Sequence, residues 1–160
     1  MIFVSCGNES EDAPNNKGSR EDPYSVGDTV KVKNAFAYDR NNEKAEYSVQ
    51  IKIDEVYTSS DWTGDNIPVV KVTYRMDGNN DNSVNYGILP VHLILLDENM
   101  EETNYNPKSV NDMETLFDFY TGTDYSIYLM GDSYKLYKYL TLTYLDRKDN
   151  KKTLYVQLQK

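Results

Sequence analysis

Apolar and polar residues alternate with a period of two along most of the chain. Val30 and Val32 are set off by Lys31 and Lys33 within Thr29–Lys33. The longest run, Glu46–Thr58, puts Tyr47, Val49, Ile51 and Ile53 on one face, with Ser48, Gln50, Lys52 and Asp54 on the other. A β-strand has this period because successive side chains leave the pleat on opposite sides. Ile67–Met76 repeats it, with Val70, Val72, Tyr74 and Met76 opposed by Lys71, Thr73 and Arg75. Ile88–Leu96 is almost continuously apolar, the pattern of a strand buried on both faces. Pro90 has no N–H to give a ladder, which assigns that part to an edge or a bulge. Tyr125–Met130 predicts a short strand. Beyond it, Leu136, Leu140, Leu142 and Tyr144 share a face, and Leu154, Val156 and Leu158 supply the matching row after the Asp146–Lys152 turn. An antiparallel register setting Leu142 near Val156 brings both rows to one side.

Polar turns at Val26-Gly27-Asp28, Asp39–Lys44, Ser59–Asn66, Asp77–Asn85 and Asp97-Glu98-Asn99 separate these runs. One segment breaks the pattern. Val110, Met113, Leu116, Phe117 and Tyr120 fall at helical spacing, with Ser109 placed to cap a helix and Gly122 to end it, so a short helix is expected near 109–120. Fifteen tyrosines beside one Trp and four Phe make a strand-forming palette. With no crossover helices and no internal repeat, the pattern predicts an all-β, antiparallel sandwich of about seven to nine strands, with closure into a barrel the lesser alternative.

The first residues read differently. Ile2, Phe3 and Val4 are apolar, Ser5 is small, and Cys6 is the only cysteine. That order matches the end of a bacterial lipoprotein signal, in which the cysteine thiol receives a diacylglyceryl group. A signal peptide carries a basic start and roughly 7–15 apolar residues, so residues 1–5 are read as the remnant of one. The alternative is a cytosolic protein whose one thiol falls near its start. Gly7–Pro23 (GNESEDAPNNKGSREDP) favours the lipoprotein. Its composition cannot offset the entropy of ordering and suits a flexible tether. The expected organisation is a lipidated Cys6 and polar tether over 6–23, then one domain over 24–160, anchored on the extracellular face of the cell membrane.

Charge narrows the partners. The 17 basic residues are outnumbered by 26 acidic ones, for a net charge of −9. Nucleic acid is repelled, and anionic lipid offers no electrostatic docking, so membrane attachment rests on acyl chains, of which two give stable anchoring. A lone cysteine supplies no disulfide framework. No stretch approaches the ~18 consecutive apolar residues of a membrane helix.

The tethered cysteine, the opening SVGDTVKV and the late segment ILLDENMEETNY resemble a family of Gram-positive lipoproteins, mostly of unknown function. These carry a telokin-like, immunoglobulin-like domain similar to the mycobacterial immunoprotective extracellular protein. Val26, Gly27 and Asp28 match the turn that leads the family's first strand, and Leu93 to Tyr105 matches a later strand and its polar return. The resemblance implies an immunoglobulin-like sandwich at the cell surface. It brings no catalytic residues and no cofactor.

Few residues offer chemistry. Asp77, Asn79 and Asp81 recur at alternate positions, but a calcium loop would need Gly and a bidentate acid where Asn82 and Ile88 stand; a hairpin turn accounts for them. Zinc needs several His or Cys ligands, and the chain has one of each. His92 shares a strand face with Ile88 and Ile94 and reads as a sheet histidine before it reads as a general base. Trp62, among turn formers in SSDWTGDN, is either a loop-tip binding residue or a plug for the end of the sandwich. Tyr137, Tyr139 and Tyr155 are placed on outward rows of the last hairpin, where tyrosine suits an adaptable contact surface. The expected function is an extracellular binding or accessory module whose partner is a protein or a cell-surface polymer. An extracytoplasmic enzyme acting on wall polymers, centred on His92 or paired acids, is the alternative.

Overall fold

The computed structural model describes residues 16–39, 41–60, 65–78, 83–85, 89–102, 108–109, 118–132 and 135–159. Cys6, Trp62, Asn79, Asp81 and residues 110–117 lie outside them. The fold is all-β. In chain order the strands are β1 (Tyr24–Ser25), β2 (Thr29–Tyr38), β3 (Lys44–Ser60), β4 (Asn66–Gly78), β5 (Ser83–Asn85) and β6 (Val91–Asp97). They continue with β7 (Lys108–Ser109), β8 (Asp118–Tyr120), β9 (Asp124–Met130), β10 (Tyr137–Leu145) and β11 (Lys151–Gln157). Nine of them share one hydrogen-bonded sheet, and β5 and β8 form a separate ribbon.

Strand β10 divides that sheet into two layers. One of its edges pairs with β11, from Tyr139 opposite Gln157 to Leu145 opposite Lys151. The other pairs with β6, from Tyr137 opposite Asp97 to Tyr144 opposite Val91, and then passes at Leu145 to Phe36 of β2. β1, β11, β10 and β6 make one layer; β2, β3, β4, β9 and β7 make the other. All neighbours are antiparallel except β1 and β11.

The alternation sets which rows face inward. Tyr47, Val49, Ile51 and Ile53 of β3, and Val70, Val72, Tyr74 and Met76 of β4, are buried, as are Val91, Leu93 and Leu95 of β6 and Leu140 and Leu142 of β10. They join one continuous core, whose burial is the dominant favourable term in folding. Tyr74 adds a directional link between layers. Its hydroxyl accepts from the Val91 N–H at 3.1 Å and donates to the Val91 carbonyl at 3.2 Å, and burial raises its pKa.

Three expectations change. The helix near 109–120 gives way where the chain is described: Lys108–Ser109 and Asp118–Tyr120 are strands. Pairing of β8 with β5 turns Phe119 into the core, 4.4 Å from the Tyr125 ring and 6.0 Å from the Tyr74 ring. Gly122, expected to end a helix, takes a left-handed φ of 76° in the β8–β9 turn and donates to the Met76 carbonyl. In the last hairpin Leu142 lies opposite Leu154, and Leu140 opposite Val156. The face is the expected one; a tighter turn moves the register by one pleat repeat. Finally, the packed structure starts ahead of Tyr24. Gly18 is buried, its carbonyl accepts from the Tyr155 N–H at 2.8 Å, and a Cβ there would meet the Tyr24 ring at 2.7 Å.

Two tyrosines give a paired test of the core. Tyr74→Phe orphans a buried N–H and a buried carbonyl, so chemical denaturation should show a loss of about 2–4 kcal/mol. Among the described residues the buried Tyr47 hydroxyl has no hydrogen-bond partner, and Tyr47→Phe should be neutral or stabilising by up to about 1 kcal/mol. Equal losses in the two variants would contradict this assignment.

Candidate functional site

One turn design recurs at three places. In Asp39–Glu43, Asp97–Glu101 and Asp146–Asn150 the first residue's N–H donates to the fifth residue's carbonyl. The fourth residue is left-handed in each: Asn42 at φ 63°, Met100 at 67° and Asp149 at 63°. The leading carboxylate accepts the N–H groups of the third and fifth residues, at 2.9 and 2.9 Å for Asp39, 2.9 and 3.0 Å for Asp97, and 2.8 and 3.0 Å for Asp146. A carboxylate that takes up otherwise unpaired turn donors replaces the ladder bonds the chain loses in reversing. The bond from the Glu101 N–H holds the Asp97 pKa below the usual carboxylate value, helped by Asn99 and Lys135. The Asn150 side chain does most for Asp146, followed by the Asn150 and Lys148 N–H groups and Lys152.

Two of these turns, at Asp39 and Asp146, are joined by an ion pair between Lys44 and Asp149. Beside them lies a cleft of about 510 Å³. It occupies the fork where the edge of β10 passes from β6 to β2. Phe36 and Tyr38 form one wall, Leu89, Pro90 and His92 the other, and Leu145 reaches in from β10. Tyr38 and Leu145 are large apolar side chains left 50% and 40% exposed, and both line this cleft. A concave, mostly apolar surface with a few polar groups is the usual form of a small-ligand site.

The polar groups in the cleft include His92 and Lys151. His92 pairs across the ladder with Thr143, and Thr143 with Thr153, so the imidazole and Lys151 stand on the outer face of the same three strands. Desolvation by the cleft wall, and then the Lys151 charge, lower the His92 pKa. Among the described residues, His92 makes no hydrogen bond to a carboxylate or hydroxyl side chain, and Lys151 makes no ion pair. An imidazole acting as a general base is ordinarily oriented by such a partner; here a cation stands near it instead.

The expected tyrosine surface is divided. Tyr139 and Tyr155 do meet on the outer row, with ring centroids 5.8 Å apart at 81°, but Tyr139 is only 7% exposed and offers little contact surface. Tyr137 does not join them. A bulge between Tyr137 and Tyr139 turns it inward to 3% exposure, over Gly131, where its hydroxyl accepts the Asp132 N–H at 2.7 Å. Cys6 and Trp62 fall outside the described residues. Asp77 belongs to β4 and pairs with Arg75. Among the described residues, no group of three or more His, Cys, Asp or Glu could hold a metal ion.

Acid stability should resolve these groups. The folded pKa values of Asp97 and Asp146 lie below 3.8. Their contribution is therefore complete above that pH and is lost as pH falls through the lower folded values. Asp97→Asn with Asp146→Asn should reduce the melting temperature at neutral pH by several degrees and flatten the acid limb. His92 is a base with a folded pKa below 6.5; the unfolded chain protonates first, so stability falls as pH drops below that value. His92→Gln should remove this upper step and leave the acid limb in place. Thermal melts across pH check both, and an unchanged profile in either variant would refute its assignment.

No protein-family model, no curated protein and no solved structure matches this chain.

Proposed function

We propose that this chain is an extracellular binding module of a Gram-positive cell. A lipid on Cys6 ties it to the membrane, the polar run from Gly7 serves as spacer, and an immunoglobulin-like sandwich presents the fork between β2 and β6 to a ligand. The observation that carries the binding role is the open cleft flanked by Tyr38 and Leu145. Two large apolar side chains left in water share this one concave surface, whereas the other exposed ones, such as Leu136 and Tyr120, lie outside it, and exposed apolar surface gathered in a cleft marks binding sites. The pairing of His92 with a cation, rather than with an acid or a nucleophile, favours binding over hydrolysis. The attachment role rests on the order of sequence features, a small residue, Cys6 and a polar spacer, and on the likeness to Gram-positive lipoproteins.

Fractionation of the organism's own cells tests the attachment. The protein should remain with membranes, mass analysis should find a diacylglyceryl group on Cys6, and Cys6→Ser should move the protein to the soluble fraction. An unmodified cysteine in a soluble native product would overturn the anchored reading.

A further inference from the structure

We propose that the ligand of the fork cleft is an amphipathic monoanion, a carboxylate carrying a medium-length apolar chain, whose head lies between Lys151 and His92. The inference rests on the binding role argued for the cleft and adds the chemistry of its occupant. The chain is acidic overall, with a net charge of −9, yet the described residues of the cleft include a lysine and a histidine and no aspartate or glutamate. An acidic surface repels anions in general; a cleft whose charged groups are basic is where one is admitted.

The basic side chains differ in their availability. Lys44, whose ammonium lies 5.4 Å from the centre of the Phe36 ring at the cleft, is engaged by Asp149. Lys151 is exposed and holds no acid among the described residues. One ammonium with one imidazole N–H matches a single negative charge and two acceptor oxygens. A phosphate dianion calls for more cations than the cleft presents.

The remaining surface suits a tail. Phe36, Leu89, Pro90 and Leu145 carry no charge and line the same cleft as Lys151. The volume of about 510 Å³ falls in the range of small-molecule sites. Burying an alkyl chain there is favourable by about 0.8 kcal/mol per methylene removed from water. Tail burial therefore supplies affinity, and Lys151 supplies the choice of head group.

Calorimetric titration of the folded protein with decanoate, decan-1-ol and decylamine separates these contributions, since the tail is constant and only the head changes. Decanoate should bind one to one and about tenfold more tightly than the alcohol, as for a charge-assisted contact in a partly apolar site, and the amine should bind most weakly. Lys151→Gln, at an exposed position, should bring decanoate to the level of the alcohol and leave alcohol binding within about twofold. Alcohol binding as tight as decanoate binding would overturn the anionic assignment and leave the cleft as a binding site. Preference for the amine would overturn it likewise. Absence of binding by all three would overturn the binding role of the cleft itself. Loss of alcohol and decanoate binding together in Lys151→Gln, with an unchanged melting temperature, would also contradict the division between head and tail.

Discussion

The position of β10 is the constraint on which the rest of this protein depends. It is hydrogen-bonded along both edges, and one of those edges serves two strands in turn, β6 up to Tyr144 and β2 at Leu145. A single strand thereby holds both layers of the sandwich. Its inward row, Leu140 and Leu142, enters the common core. The outward row is made of groups that tolerate burial in the middle of a sheet. Thr141 donates to the Ile94 carbonyl at 3.2 Å, and the hydroxyls of Thr143 and Thr153 lie 3.4 Å apart. Where the edge changes hands, β2 and β6 cannot both occupy it, and the gap between them is the cleft.

The Asp-led turns keep this arrangement in register. A strand pair with one buried face is specified only to within two residues by its apolar pattern, because a shift of two returns every side chain to the same face. A carboxylate that binds the third and fifth N–H groups of a five-residue turn removes that freedom. The Asp146 turn places Leu145 opposite Lys151 and delivers both to the cleft. The Asp39 turn places Tyr38 opposite Lys44 and delivers Tyr38 to the cleft. The ion pair between Lys44 and Asp149 then holds the two hairpin ends side by side. It is partly exposed and contributes little energy by itself; its role is positional.

Much of the fold was legible because alternation is local. The inward rows of β2, β3, β4 and β6 follow from period two, including the placement of His92 opposite Val91 and Leu93. Where a residue's neighbours break the period, the pattern misleads. Tyr137 has the parity of Tyr139, and the bulge at Lys138 alone sends it inward. The stretch ending at Tyr120 has apolar residues at helical spacing, but the benefit of placing Phe119 against Tyr74 and Tyr125 prevails at β8. The turns did leave a signal, an Asp followed by mostly polar residues in DRNNE, DENME and DRKDN, and it is visible once the three are aligned. The cleft left none. Phe36, Leu89 and Leu145 lie far apart in the chain and meet only because of how β10 shares its edge.

Whether that shared edge forms a ligand site is best tested by nuclear magnetic resonance, with backbone amide shifts followed during a titration with decanoate. If the fork is the site, the changes concentrate at Phe36, Tyr38, His92, Leu145 and Lys151, while Tyr139 and Tyr155, farther along the same outer face, stay still. Changes centred on Tyr139 and Tyr155, with the residues of the fork unmoved, would contradict it.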